Sequence, residues 1–315
     1  MIRSSKIALG LLIVFSASAI LFAATHPRSV NALGRHYFYS RSRKFFHHPP
    51  SSRTNNLPAV IFWAWERPED LRFLTPDQAG IAFLAKTIYL QPPPADPTDS
   101  SPSFIVRPRL QPLRISTGTP LIAVVRMEIP APPRLSSLQQ NQSALHAFAY
   151  SDAQRALLAS EIAGTQSISG VSAIQIDFDA PSSAQPFYTA LLQDVRSKLP
   201  PSLPLSITAL ASWCIGDPWL AQLPPATIDE AVPMLFRMGP DAGNVAKFLH
   251  SGGDFPVAAC RGSLGLSTDE TLSNDLLTAS STFSTFDRRE KRVYVFAPRS
   301  WTPSAAEKIL QELKP

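Results

Sequence analysis

The hydrophobic positions of this chain gather into short, nearly continuous runs separated by longer polar or amphipathic stretches. From residue 58 onward eight runs stand out: "AVIFWAW" (59–65), "GIAFLAKTIYL" (80–90), "LIAVVRMEI" (121–129), "VSAIQIDFD" (171–179), "LPLSITALASW" (203–213), "EAVPMLFRM" (230–238), "PVAACRG" (256–262) and "RVYVFAP" (292–298). Apolarity that is continuous rather than alternating marks parallel strands buried on both faces. The stretches "PEDLRFL", "SDAQRALLASEIAG", "AQPFYTALLQDVRSKL", "NVAKFLHSG" and "SAAEKILQELK" between and after these runs predict helices. In the third of them Phe187, Leu191, Leu192, Val195 and Leu199 recur at helical spacing and make one apolar face.

Eight strand-helix alternations across 58–315 predict an α/β fold, a (β/α)8 TIM-type barrel, whose usual length is about 250 residues. A doubly wound open sheet is the runner-up, but no glycine-rich phosphate loop follows the first run. One insertion, at about 91–120, breaks the alternation. It is rich in Pro, Asp and Ser and then reads "FIVRPRLQPLRI", a β-hairpin or extra strand that would overhang the C-terminal face.

Ahead of the barrel, Arg3 and Lys6 precede an uncharged apolar run of 18 residues, Ile7 to Ala24. Residues 1–24 therefore read as an export signal, either cleaved or kept as a membrane anchor helix. Residues 25–57 form a basic linker containing Pro and His. Its charges suit anionic lipid headgroups if the anchor is retained, whereas the adjacent His47 and His48 lack the further ligands a metal site needs. The expected location is exported, periplasmic or membrane-anchored, with the barrel outside the cytoplasm. Export would let Cys214 and Cys260 form a disulfide, the alternative being two buried free thiols.

The formal charge of +5 misleads, because 8 of the 29 Lys and Arg fall before residue 66, where no acid occurs. The remaining 21 basic residues face 24 acidic ones, a net charge of −3. A mildly acidic barrel has no electrostatic footprint for nucleic acid.

Active sites of such barrels gather at the C-terminal ends of the strands. The polar and aromatic residues at those ends are Trp63, Trp65, Glu66 and Arg67; Arg126 and Glu128; Asp177 and Asp179; Ser212, Trp213 and Cys214, with Asp217 and Trp219 just beyond; Arg237; Arg261; and Arg299 and Trp301. Aromatic faces beside carboxylates and guanidinium groups suit a pyranose, which has an apolar face and a rim of hydroxyls. A carbohydrate, polymeric or oligomeric, is therefore the expected ligand. The two barrel histidines, His146 and His250, fall in or after predicted helices, so no Ser-His-Asp arrangement forms. No cofactor or metal is expected, since no Cys/His cluster has ligand spacing.

The stretch "VSAIQIDFDAPSSAQPFYTALLQDVRSKLPPSLPLSITALASWC" resembles the fourth-strand region of chitinase-type (family eighteen) glycoside hydrolases, where a strand ending in DGxDxDxE leads into a helix. On that match Asp179 stands where the family has its catalytic Glu, one methylene longer, and Asp177 is the adjacent Asp. Gln175 and Ser172 replace the two earlier Asp residues. "FWAWERPEDLRFL", "RPRLQPLR", "QIDFDA", "LSITALASWC" and "AVPMLFRMG" also resemble an uncharacterised bacterial family, domain of unknown function 3142, which brings no established activity.

Residues i and i+2 of a strand lie about 6.6 Å apart and point the same way, so Asp177 and Asp179 do not easily flank a glycosidic bond as the paired groups of a glycosidase must. The resulting expectation makes Asp179 a general acid whose pKa is raised by Asp177. The opposing group is Glu66 or Glu128, or else the substrate's own N-acetyl group. Three other readings stand beside it: a salt-bridge network of the acids with Arg126, Arg237 and Arg261, a non-catalytic carbohydrate-binding barrel, and a membrane-tethered scaffold.

Overall fold

The computed structural model describes residues 51–92, 96, 99, 101–129, 150–277 and 291–313, all within the unit Lys44–Pro315. The expected signal or anchor and most of the basic linker, with His47 and His48, lie outside the described residues, as does His146. No described helix is long and apolar enough to cross a membrane.

Eight strands run parallel: β1 (Val60–Ala64), β3 (Gly80–Leu90), β6 (Leu121–Glu128), β7 (Val171–Asp177), β8 (Leu205–Leu210), β9 (Glu230–Met234), β10 (Ser263–Ser267) and β11 (Arg292–Phe296). They are hydrogen-bonded in that order, and β1 closes the ring by pairing with both β11 and β3. The fold is thus a closed TIM-type barrel. Helices α1 (Asp152–Ala163) and α2 (Gln185–Lys198) cover its outside next to β6, β7 and β8. A capping box starts α1: Ser151 Oγ accepts from the Gln154 amide while Gln154 Oε1 accepts from the Ser151 amide. The predicted face of α2 is the one it buries, through Phe187, Leu191, Leu192 and Val195.

The insertion supplies β4 (Phe104–Pro108), which runs antiparallel along the upper half of β3, from Lys86 to Leu90. Because the lower half of β3 pairs with β1, β4 continues the wall above the end of β1. A register shift between Leu84 and Lys86 turns the upper part of β3 over, so Thr87 pairs with Arg126 and Tyr89 with Glu128. Bulges of this kind commonly re-aim side chains near barrel rims.

Two predicted elements differ. "PEDLRFL" is not helical: Glu69–Asp70 forms the short strand β2, paired with β5 (Leu113–Arg114) of the insertion. Glu69 is buried there, binding Arg67 at 2.7 Å and accepting from the Trp301 amide, and these partners outweigh the local helical spacing. The seventh strand is not "PVAACRG" but Ser263–Ser267, read as "SLGLS". Small residues stand there because the wall meets the bulky Trp63: a Cβ on Gly265 would come within 3.0 Å of the indole and 3.2 Å of the Pro233 carbonyl.

Inside the barrel Trp63 packs against Tyr294 (5.3 Å between centroids) and Phe236 (6.2 Å). Its Nε1 donates to Gln175 Oε1 at 2.9 Å, and Gln175 Nε2 donates to Ser206 Oγ at 3.2 Å. The N-terminal end of the barrel is closed by a buried ionic cluster. Glu230 takes one bond from the Tyr294 hydroxyl (2.7 Å) and pairs with Arg292 (2.5 Å), which also donates to the carbonyls of Thr54 and Pro58. Asp229 binds Ser51, Arg53 and the Leu205 amide alongside it. Segment 51–58 is thereby fastened across the end opposite to the mouth.

Removing one member of such a pair leaves the other charge buried alone. Arg292→Met is expected to lower unfolding stability by about 3–5 kcal/mol, while Arg72→Met, at an exposed pair with Asp70, changes it by less than about 1 kcal/mol. Urea unfolding of the two variants measures the contrast.

Candidate active site at the barrel mouth

Along β7, Ala173 and Gln175 point into the barrel, so strand alternation carries Asp177 to the same side near the mouth. Thr208 of β8 donates to Asp177 Oδ1 at 2.7 Å and fixes that carboxylate. From β6 comes Arg126, on the same face as the interior residues Ile122 and Val124. Its guanidinium pairs with Glu128 at 2.8 Å and lies 5.5 Å from the centroid of the Trp65 ring. Trp65 in turn meets Phe296 edge-on, and Phe296 stacks on Phe236.

Asp179, just past the strand end, completes the group. Its side chain is exposed to water just beyond the strand. Its pKa is pushed up to about 6, first by desolvation and then by the Asp177 carboxylate, with Arg126 acting in the opposite direction. A carboxyl group that still holds its proton for part of the time near neutrality can donate it, which an ordinary surface aspartate cannot do.

The insertion adds an upper wall. Arg107, opposite Thr87, pairs with Glu66 at 2.5 Å and lies 5.8 Å from the Tyr89 ring centroid. Tyr89, Arg107 and Thr208 were not singled out from sequence. Thr208 had a signal: with Ser206 it makes polar positions two apart in the otherwise apolar "LSITAL". Tyr89 had none, because only the register shift turns it toward the mouth.

Other expected site residues lie elsewhere. Trp63 fills the barrel axis. Trp213 and Trp219 are buried in the outer layer, packed on each other at 4.9 Å, and Trp301 is buried against Phe62 while donating to the Trp63 carbonyl. None of these four offers a sugar an open face; Trp65 is the half-exposed tryptophan. Arg261 precedes β10 instead of ending a strand, and binds the carbonyls of Phe255 and Pro256. Arg237, held at φ 56°, pairs with Asp269 at the ends of β9 and β10. Of the three arginines expected to neutralise the acids, Arg126 alone is an identified influence on Asp179. Asp217 caps the short helix Pro218–Ala221 and accepts from Gln185 Nε2 at 2.9 Å. Cys214 and Cys260 are joined by a disulfide.

A closed (β/α)8-type barrel with a carboxylate pair at its C-terminal mouth is the class these observations define. Residues 117–236, which hold β6 to β9, match the family described as Domain of unknown function (DUF3142), and the resemblance read from the sequence is borne out over that segment. No curated protein matches the chain. Solved structures similar to it include the spore cortex-lytic enzyme SleL of Bacillus cereus, 13% identical over 81% of this chain and 74% of that one, with a TM-score of 0.47. The chitinase of Rhizomucor miehei is 12% identical over 81% and 99% of the two chains, with a TM-score of 0.43. The chitinase domain of the Clostridium difficile spore coat protein CotE is 12% identical over 78% and 67%, with a TM-score of 0.35. At these scores the barrel stands on its own strand order, not on the likeness.

The raised pKa of Asp179 has a consequence for stability. The unfolded chain loses this proton around the ordinary value of 3.8 and the folded chain only near 6, so stability falls as pH rises between them. Asp179→Asn removes the charge that causes the loss. Its melting temperature is expected to exceed that of the parent at pH 7, with the difference vanishing below about pH 4; thermal scans across that range measure it.

Proposed function

We propose that this barrel is an exported carbohydrate-active enzyme that hydrolyses a glycosidic bond, with Asp179 as general acid. The observation that carries the reading is the perturbed Asp179 at the mouth, beside the Thr208-bound Asp177. Desolvation and the neighbouring charge retain the proton until it can pass to the leaving oxygen. Arg126 limits the shift, so the group still ionises near neutral pH. Glu128 and Glu66 are the candidates for the opposing role, each held by a guanidinium, from Arg126 and Arg107 respectively. Trp65 and Tyr89 supply the aromatic surface for a pyranose ring.

Export is supported by the apolar leader and by the Cys214–Cys260 disulfide, a bond that persists in oxidising compartments. The barrel then acts in the periplasm, or outside the membrane if the leader is retained.

A non-catalytic sugar-binding barrel is favoured by one observation, the commitment of both glutamates to ion pairs. Hydrolysis assays over a panel of polysaccharides separate the two. The enzyme reading expects turnover that declines above about pH 6, where Asp179 loses its proton, and a loss of about 100-fold or more in Asp179→Asn with ligand binding retained. Asp177→Asn moves the alkaline decline to lower pH, because it removes a charge that raises the acid's pKa. Binding without product from any substrate, in parent and variant alike, overturns the reading in favour of the binding barrel.

A further inference from the structure

Arg109 lies just beyond the end of β4, two residues after Arg107. Its amide donates at 2.9 Å to the carbonyl of Ala85, the residue skipped where the register of β3 against β6 shifts between Leu84 and Lys86. Its half-buried guanidinium donates to four backbone carbonyls: to Ala64 (3.2 Å) and Trp65 (2.5 Å) through Nη1, to Arg67 (2.6 Å) through Nη2 and to Gln111 (2.9 Å) through Nε.

Three of these acceptors belong to one short segment at the mouth. The ladder of β1 with β11 ends at Phe62 and that with β3 at Ala64, so the carbonyls that follow have no ladder partner. A backbone carbonyl withdrawn from water needs a donor from elsewhere, and the fixed fork of a guanidinium can serve several at once. Trp65 and Arg67 stand on either side of Glu66, and the Arg67 amide donates to the Trp65 carbonyl at 2.9 Å, which closes a tight turn around it. The Glu66 carboxylate pairs with Arg107 at 2.5 Å. The insertion therefore grips this turn twice, through Arg107 on the Glu66 side chain and through Arg109 on the backbone. The same turn carries the Trp65 ring that lies beside Arg126.

We propose that Arg109 is a positioning residue of the mouth: by fixing the backbone on both sides of Glu66, it sets where the Trp65 ring and the Glu66 carboxylate stand. The insertion is then a working part of the candidate site. The placement rests on the hydrogen bonds alone, whereas its effect on turnover rests on the glycosidase reading.

Arg109→Lys keeps the charge and Arg109→Gln keeps a donor, but neither side chain can hold Ala64, Trp65 and Arg67 together. Nitrogen-15 NMR of the indole N–H groups in the full chain tests the placement, with the Trp65 resonance assigned by its loss in Trp65→Phe. In both Arg109 variants the Trp65 resonance is expected to shift or broaden, while those of Trp213 and Trp219, packed on each other in the outer layer, stay in place. An unmoved Trp65 resonance overturns the proposal. Displacement of Trp213 and Trp219 as well, or failure of both variants to fold, also overturns it, because Arg109 would then support the barrel as a whole. Where hydrolysis is found, kcat of both variants is expected to fall on the order of 10-fold or more through misplacement. The alkaline decline stays near pH 6, since Asp177 and Arg126 are the charges that act on Asp179. A kcat equal to the parent's overturns the proposal and leaves the enzyme reading standing. If the parent hydrolyses no sugar, the enzyme reading falls and the indole spectra still decide this one.

Discussion

An eight-stranded parallel barrel has to fill its own axis, and here the Trp63 indole does so. Around it the wall is adjusted residue by residue. Gly265 clears the ring, Tyr294 and Phe236 close on it, and Gln175 receives its N–H. The amide at position 175 follows from this packing. It must accept from Trp63 and donate to Ser206 with no access to water, which a neutral side chain does without the desolvation penalty of a carboxylate. Acidic chemistry is therefore confined to the strand end, where Asp177 and Asp179 reach the mouth.

Most of the fold could be read from the chain because burial on both faces imposes continuous apolar runs, and seven of the eight runs overlap a barrel strand. The exception is instructive. "SLGLS" carries too little apolar bulk to stand out, since a wall beside a tryptophan must be made of small residues. The preceding "PVAACRG" looks more like a strand by composition, and taking it for one moved Arg261 from the start of the strand to its end. Likewise the helical spacing of "PEDLRFL" gives way to pairing with Leu113–Arg114, a partner more than forty residues away that no local pattern reveals.

The candidate site was legible where a side chain's direction follows from strand alternation and obscure where it follows from packing. Asp177, Arg126 and Glu128 sit on predictable positions of long strands. The tryptophans do not: chain position places all five near strand ends, but size and hydrophobicity draw four of them into the core. Tyr89 reaches the mouth only because the ladder slips between Leu84 and Lys86, an event without a sequence signature.

The two ends of the barrel treat charge in opposite ways, and that contrast bears on function. At the closed end Glu230 and Asp229 have hydrogen-bond donors and guanidinium groups aimed directly at them, the arrangement that lets buried acids persist as structural groups. At the mouth Asp177 has Thr208, and among the described residues Arg126 is the identified group that favours the charged form of Asp179. Desolvation and the neighbouring Asp177 carboxylate hold the Asp179 pKa up at about 6, so its charged form is less favoured than that of an ordinary aspartate. The contrast arises from the groups placed around the acids and not from the aspartates alone.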